Sequence, residues 1–77
     1  MKMITILKGD VIMLVGTVKW FNEKKGYGFI VKEHYDDIFV HYTAIQDEPK
    51  TLSEGDKVAF ELMVNQKGLI AINVTRI

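Results

Sequence analysis

The chemistry-bearing residues of this chain are rings and lysines. Tyr27 and Phe29 stand two apart in Lys24-Lys25-Gly26-Tyr27-Gly28-Phe29-Ile30-Val31-Lys32, with glycines beside and between them and lysines at either end. Residues two apart in an extended strand face the same way. The two rings therefore share one face, and Gly28 and Ile30 share the other. Because Ile30 is the natural core residue, the rings are left on the side available for contact. Exposed rings bracketed by ammonium groups suit single-stranded nucleic acid, whose bases stack on the rings while its phosphates sit near the lysines. The plain structural alternative is a strand buried between two layers, which carries apolar residues on both faces.

The distribution of charge and of rings bears on that choice. Over 77 residues the net charge is zero, which argues against a generally basic, DNA-coating protein. Between Lys19 and Lys32, however, four lysines (Lys19, Lys24, Lys25, Lys32) accompany one acid, Glu23, a local balance of +3. Acids gather elsewhere, at Asp36 and Asp37, Asp47 and Glu48, and Glu54 and Asp56. Trp20, Phe21, Tyr27, Phe29, Tyr35, Phe39 and Tyr42 are seven of the eight aromatics, with only Phe60 outside this stretch. A core would spread its rings more evenly, so co-localised rings and lysines favour an aromatic-basic binding face.

The elements that must position these groups are short strands. Leu14 to Asn22 reads as the first, ending in the polar turn Asn22-Glu23-Lys24-Lys25-Gly26. Strict alternation points Val18 and Trp20 together into the core. Either Trp20 is core, or a bulge near the strand end re-aims it. Tyr27 to Lys32 is the second strand and Asp37 to His41 the third, with Ile38 and Val40 inward and Phe39 and His41 on the ring side. Antiparallel pairing then brings Phe39 and His41 beside Tyr27 and Phe29 as one stacking platform. Tyr42-Thr43-Ala44-Ile45 is a short helical turn. Lys57 to Val64 follows as a core strand with Val58, Phe60, Leu62 and Val64 inward, and Leu69 to Ile77 returns with Ile70, Ile72 and Val74 inward. No stretch carries a sustained helical period. Five short strands between turns predict an all-β fold, a small closed barrel of the oligonucleotide-binding (OB-fold) type.

Length and composition bound the rest. The chain is one domain with a marginal core. Without cysteine it has neither a disulfide framework nor a zinc ribbon, and a reducing compartment follows. Its longest apolar run, Val11 to Val15, is far too short to cross a bilayer. The expectation is a cytoplasmic protein with no membrane partner, no cofactor and no small-molecule substrate. Residues 1–12 read as an N-terminal extension to a domain over 13–77. They are either an added strand or partner-binding tail, or a segment upstream of a true start at Met13, and terminal disorder is expected on general grounds.

Lys25-Gly26-Tyr27-Gly28-Phe29-Ile30 resembles the first ribonucleoprotein motif, and Ile38-Phe39-Val40-His41-Tyr42 the second. In an RNA-recognition motif domain the second precedes the first and helices alternate with strands, unlike the order here. With Gly16-Thr17-Val18-Lys19-Trp20-Phe21-Asn22 upstream, the chain resembles the bacterial cold shock proteins from about Leu14 to Thr75. The resemblance implies a five-stranded antiparallel Greek-key barrel that binds single-stranded RNA and single-stranded DNA. It also implies a stress-response RNA chaperone that melts weak RNA structure and influences transcription termination and translation. Carried over by motif position, Trp20, Tyr27, Phe29, Phe39, His41 and Tyr42 stack on bases, with Phe21 adjoining, and Lys19, Lys25 and Lys67 contact phosphates or base edges. The resemblance favours an exposed Trp20. Two departures stand out. The loop after Ile45 lacks the family's further aromatic, which weakens one subsite, and Leu69-Ile70-Ala71-Ile72 replaces a segment in which the family commonly has proline and smaller residues.

Two rival readings use the same residues. A peptide-binding or oligomerising barrel would dock a protein on its rings, but phosphate explains the lysine cluster better. His34, Asp36, Asp37 and His41 have ligand chemistry, yet the first three read as a solvated turn and His41 as part of the stacking face, so no metal and no catalysis are expected. A monomer or weak homodimer is the expected state.

Overall fold

Runs of β-branched and aromatic residues, interrupted by turns built on glycine or asparagine, form strands throughout. The computed structural model describes residues 5–6 and 11–77, with residues 5–6 and 11–12 described by backbone alone. The elements are β1 (Thr5–Ile6), β2 (Val11–Asn22), β3 (Tyr27–Val31), β4 (Ile38–His41), a 3-10 turn (Tyr42–Ala44), β5 (Lys57–Asn65) and β6 (Gly68–Arg76). The reading of residues 1–12 as an extension falls largely outside the described residues. Within that stretch Thr5 pairs with Ile12 and Ile6 with Val11.

Long β2 closes the barrel because it serves two neighbours. Its Thr17–Asn22 part pairs with β3, and its Met13–Thr17 part pairs with β5. Around the ring the order is β2, β3, β4, β6, β5 and back to β2. The expected closed five-stranded barrel is therefore present, with one refinement to its expected antiparallel character: β4 and β6 run parallel. A ring with an odd number of strands cannot alternate direction all the way round, so one parallel pair is forced by closure.

Val18, Ile30, Ile38, Val40, Val58, Phe60, Ala71 and Val74 fill the interior, and Ile45 and Leu52 join them from the connection between β4 and β5. Fully burying such side chains contributes roughly 1.5–3 kcal/mol each. Among the described residues no polar side chain is buried, so the core carries no unmet hydrogen bond.

Two bulges decide which side chains reach which face. On β2, Val18 opposes Ile30 and Trp20 opposes its neighbour Phe29, which leaves Lys19 as an extra residue. Val18 stays inside and Trp20 is turned outward, 38% exposed. On β6, Ile72 opposes Glu61 and Thr75 opposes Ala59, so Asn73 and Val74 stand against Phe60 alone. Asn73 takes up the extra residue at φ +51°, a conformation asparagine tolerates. Here the expectation of Ile70, Ile72 and Val74 inward is corrected. Val74 is inward, but the bulge puts Ala71 beside it in the core, and Ile70 and Ile72 take the other face. Val64, also expected inward, is 68% exposed, because β5 by then has run past the barrel into the β5–β6 hairpin.

Candidate nucleic-acid interface

Register places the rings. In the β3–β4 ladder Tyr27 lies opposite His41 and Phe29 opposite Phe39, as the alternation of both strands requires. The bulge adds Trp20 opposite Phe29. Trp20 meets Phe29 edge-on at 5.4 Å between ring centres and Tyr27 at 5.7 Å. Phe29 meets Phe39 edge-on at 5.7 Å, while Tyr27 and Phe39 lie closer to parallel at 5.8 Å. Phe39 leads on to His41 at 6.5 Å and His41 to Tyr42 at 4.7 Å. Edge-to-face contacts of this kind hold rings in place while leaving faces uncovered.

Local features hold the margins of this surface. Gly26 adopts φ +78°, and a Cβ there would lie 2.7 Å from the Tyr42 ring, so the ring rests on bare backbone. The Tyr42 amide donates to the Gly26 carbonyl at 2.8 Å. His41 Nδ1 accepts from the Thr43 backbone N–H at 3.3 Å. The Thr43 hydroxyl lies 2.8 Å from the same nitrogen. These contacts hold the imidazole plane before any ligand arrives.

Four predicted residues lie outside the ring cluster. Phe21 packs against the core and covers Gly28 from inside, where a Cβ would lie 2.9 Å from its ring; Phe21 makes no ring contact with the others. Lys19 is already partnered, its Nζ donating to Asp37 at 3.0 Å with both side chains about half exposed. Lys67 sits in the β5–β6 turn, beyond the rings, on the rim of a concavity of about 730 Å³ that Phe29 and Phe39 also line. Lys25 is exposed in the turn before β3. Its backbone N–H donates to the Asn22 side chain at 2.8 Å, which closes that turn.

The sequence reading missed Ile70. Parallel pairing sets it beside Phe39, on the ring side of the sheet. The signal lay in Asn73, a residue that tolerates left-handed backbone and so permits a bulge between Ile72 and Val74.

The residues 14–77 match the family model described as the 'Cold-shock' DNA-binding domain. The chain belongs to the cold-shock domain family. Major cold shock protein from Streptococcus pyogenes is 52% identical over 66 residues, covering 84% of this chain and 98% of that protein. Cold shock protein CspB from Bacillus caldolyticus is 54% identical over 63 residues, covering 80% and 96%. Among solved structures, Drosophila Unr CSD456 matches with a TM-score of 0.70 at 26% identity over 84% of this chain, which spans 26% of that longer chain. As a cold-shock domain protein this is a nucleic-acid-binding protein, the main expectation drawn from its rings and lysines. No helix among the described residues is long and apolar enough to cross a membrane. Among them His34, Asp36, Asp37 and His41 assemble no metal-holding group.

Proposed function

We propose that the protein binds single-stranded RNA and single-stranded DNA with little sequence preference, and acts as a cytoplasmic RNA chaperone that influences transcription termination and translation. The observation that carries this reading is the contiguous array Trp20, Tyr27, Phe29, Phe39, His41 and Tyr42, linked ring to ring across three strands and the turn that follows. Each stacked base contributes about 1–3 kcal/mol. Several bases, less the cost of ordering the strand, give a dissociation constant in the ~1 nM to ~1 μM range. Phe21 supports the array from beneath, and Lys19, Lys25 and Lys67 take phosphates, Lys19 by exchanging Asp37 for one.

Such binding needs no nucleotide hydrolysis. By holding melted strands the protein lowers their free energy and shifts weakly paired RNA toward the open form by mass action. One copy suffices for the array, in keeping with a monomer or weak homodimer. The functional unit is the stretch 13–77, to which residues 1–12 are an appendage.

Titration of Trp20 fluorescence tests the reading. Single-stranded oligonucleotides of either sugar should produce a saturable change, and a stable duplex of the same sequence should produce none. An equal response to the duplex, or no response to single strands, would exclude it.

A further inference from the structure

The ring array does not stop where the rings stop. Trp20 opposes Phe29, Phe29 opposes Phe39, Phe39 pairs with Ile70, and Ile70 opposes Met63. One row of apolar side chains therefore crosses all five barrel strands on one face, since direct cross-strand partners point to the same side. Its last member, Met63, is 49% exposed although it is apolar and lies in a regular ladder. Neither Ile70 nor Met63 is needed to fill the interior, where Ala71 and Leu62 occupy the inward positions of the same two strands.

Beside this aliphatic end lies the concavity of about 730 Å³, walled by Phe29, Phe39, Leu69 and Ile70. That volume falls within the roughly 300–1,000 Å³ of pockets that hold small organic groups. Its rim carries Lys67 from the β5–β6 turn and Asp36 and Asp37 from the β3–β4 connection. The Asn65 side-chain oxygen accepts from the Lys67 and Gly68 backbone amides at 2.8 and 3.1 Å, which holds that turn, and Lys67 with it, in place.

We propose that Ile70 and Met63, with Lys67 at the edge, form an additional nucleotide subsite that extends the single-strand path across β6 and β5. The inference rests on the single-strand reading above. A base leaving Phe39 in the direction of the row meets a flat aliphatic surface continuous with the rings, and its phosphate meets Lys67. The carboxylates of Asp36 and Asp37 repel phosphate and accept from base N–H groups, so the two parts of the rim orient the nucleotide, phosphate to Lys67 and base toward the acids. An aliphatic floor stacks without offering hydrogen bonds, so any preference among bases at this subsite comes from the acids on its rim.

Oligothymidylates lengthened one nucleotide at a time, titrated against the unmodified chain, Ile70→Gln and Met63→Gln, test the proposal through Trp20 fluorescence. Short strands that occupy the rings alone should bind all three alike. Beyond the length that reaches β6, the unmodified chain should gain affinity, and each variant should lose about three- to tenfold of that gain. Met63 is half exposed and lies outside the interior, so Met63→Gln should fold normally, and its result stands even where Ile70→Gln perturbs packing. Equal affinity of Met63→Gln and the unmodified chain at every length, or an equal loss at every length, would overturn the subsite. Failure of the unmodified chain to bind any single strand would instead remove the reading on which it rests.

Discussion

The two faces of β3 and β4 are both apolar, yet they serve opposite ends. Inside, Ile30, Ile38 and Val40 are wholly buried. Outside, Tyr27, Phe29, Phe39 and His41 pair in the same register on the same two strands, but each remains partly exposed. The inner side chains are surrounded by other core residues on every side. The outer ones touch each other by their edges and keep open faces. Hydrophobicity alone does not distinguish the two sets. What separates them is whether the barrel supplies the contact or leaves it to a ligand.

The largest effect that sharpens this contrast is on stability. Phe60 is completely buried, and Phe60→Ala should cost about 3–5 kcal/mol in denaturant unfolding. Phe29→Ala and Phe39→Ala should cost well under that, and should instead weaken single-strand binding by about 1–3 kcal/mol. If Phe29→Ala unfolds the domain as readily as Phe60→Ala, the outer rings are core and the contrast is lost.

A second test acts where the faces meet. Gly28 separates Tyr27 from Phe29, and a Cβ on it would point inward, 2.1 Å from the Trp20 carbonyl oxygen and 2.7 Å from Phe21 Cα. Both are backbone atoms that a rotamer change cannot move. Gly28→Ala should therefore push β2 away from β3, at about 1–3 kcal/mol of stability. It should also shift Trp20 relative to Phe29, visible as an altered Trp20 emission before any ligand is added. An unchanged unfolding midpoint and an unchanged spectrum would mean that the β2–β3 spacing is softer than close packing implies.

How far these faces could be read from the sequence depends on where the period of two survives. Over Tyr27–Val31 and Ile38–His41 it survives intact, and the rings, their pairing and the inward Ile30, Ile38 and Val40 follow directly. At Lys19 it breaks, so alternation alone leaves both core and surface open to Trp20, and the family resemblance favours exposure. At Asn73 it breaks again, and because only the asparagine itself, not the alternation around it, hints at that bulge, strict alternation puts Ile70 and Ile72 on the wrong face. A one-residue slip moves every later side chain across the sheet, so a single unseen bulge corrupts a whole strand assignment. Val64 failed for another reason: alternation marks a face but not the point at which the barrel ends beneath it. Ion pairing was equally invisible, because the Lys19–Asp37 contact joins residues eighteen apart through the meeting of β2 with the β3–β4 connection.

That ion pair bears on the smallest predicted effect, the dependence of binding on salt. Three lysines each engaging a phosphate give a slope of log affinity against log salt of about −2, at about 0.7 per contact on single strands. The three are not equivalent. Lys25 and Lys67 make no ion pair among the described residues, whereas Lys19 gives up Asp37 when it takes a phosphate. Lys25→Gln should therefore lower the slope by close to one full contact and Lys19→Gln by less. Asp37→Asn should release Lys19 and steepen the slope. The accompanying gain in affinity should stay below about 1 kcal/mol, since exposed pairs contribute little. Tyr27→Ala should weaken binding at every salt concentration and leave the slope alone, because stacking releases no counterions. Zero net charge keeps diffuse attraction small, so the local lysines dominate the salt dependence. A slope that ignores Lys25→Gln, or one that changes with Tyr27→Ala, would mean that rings and lysines do not act as separate parts of the surface.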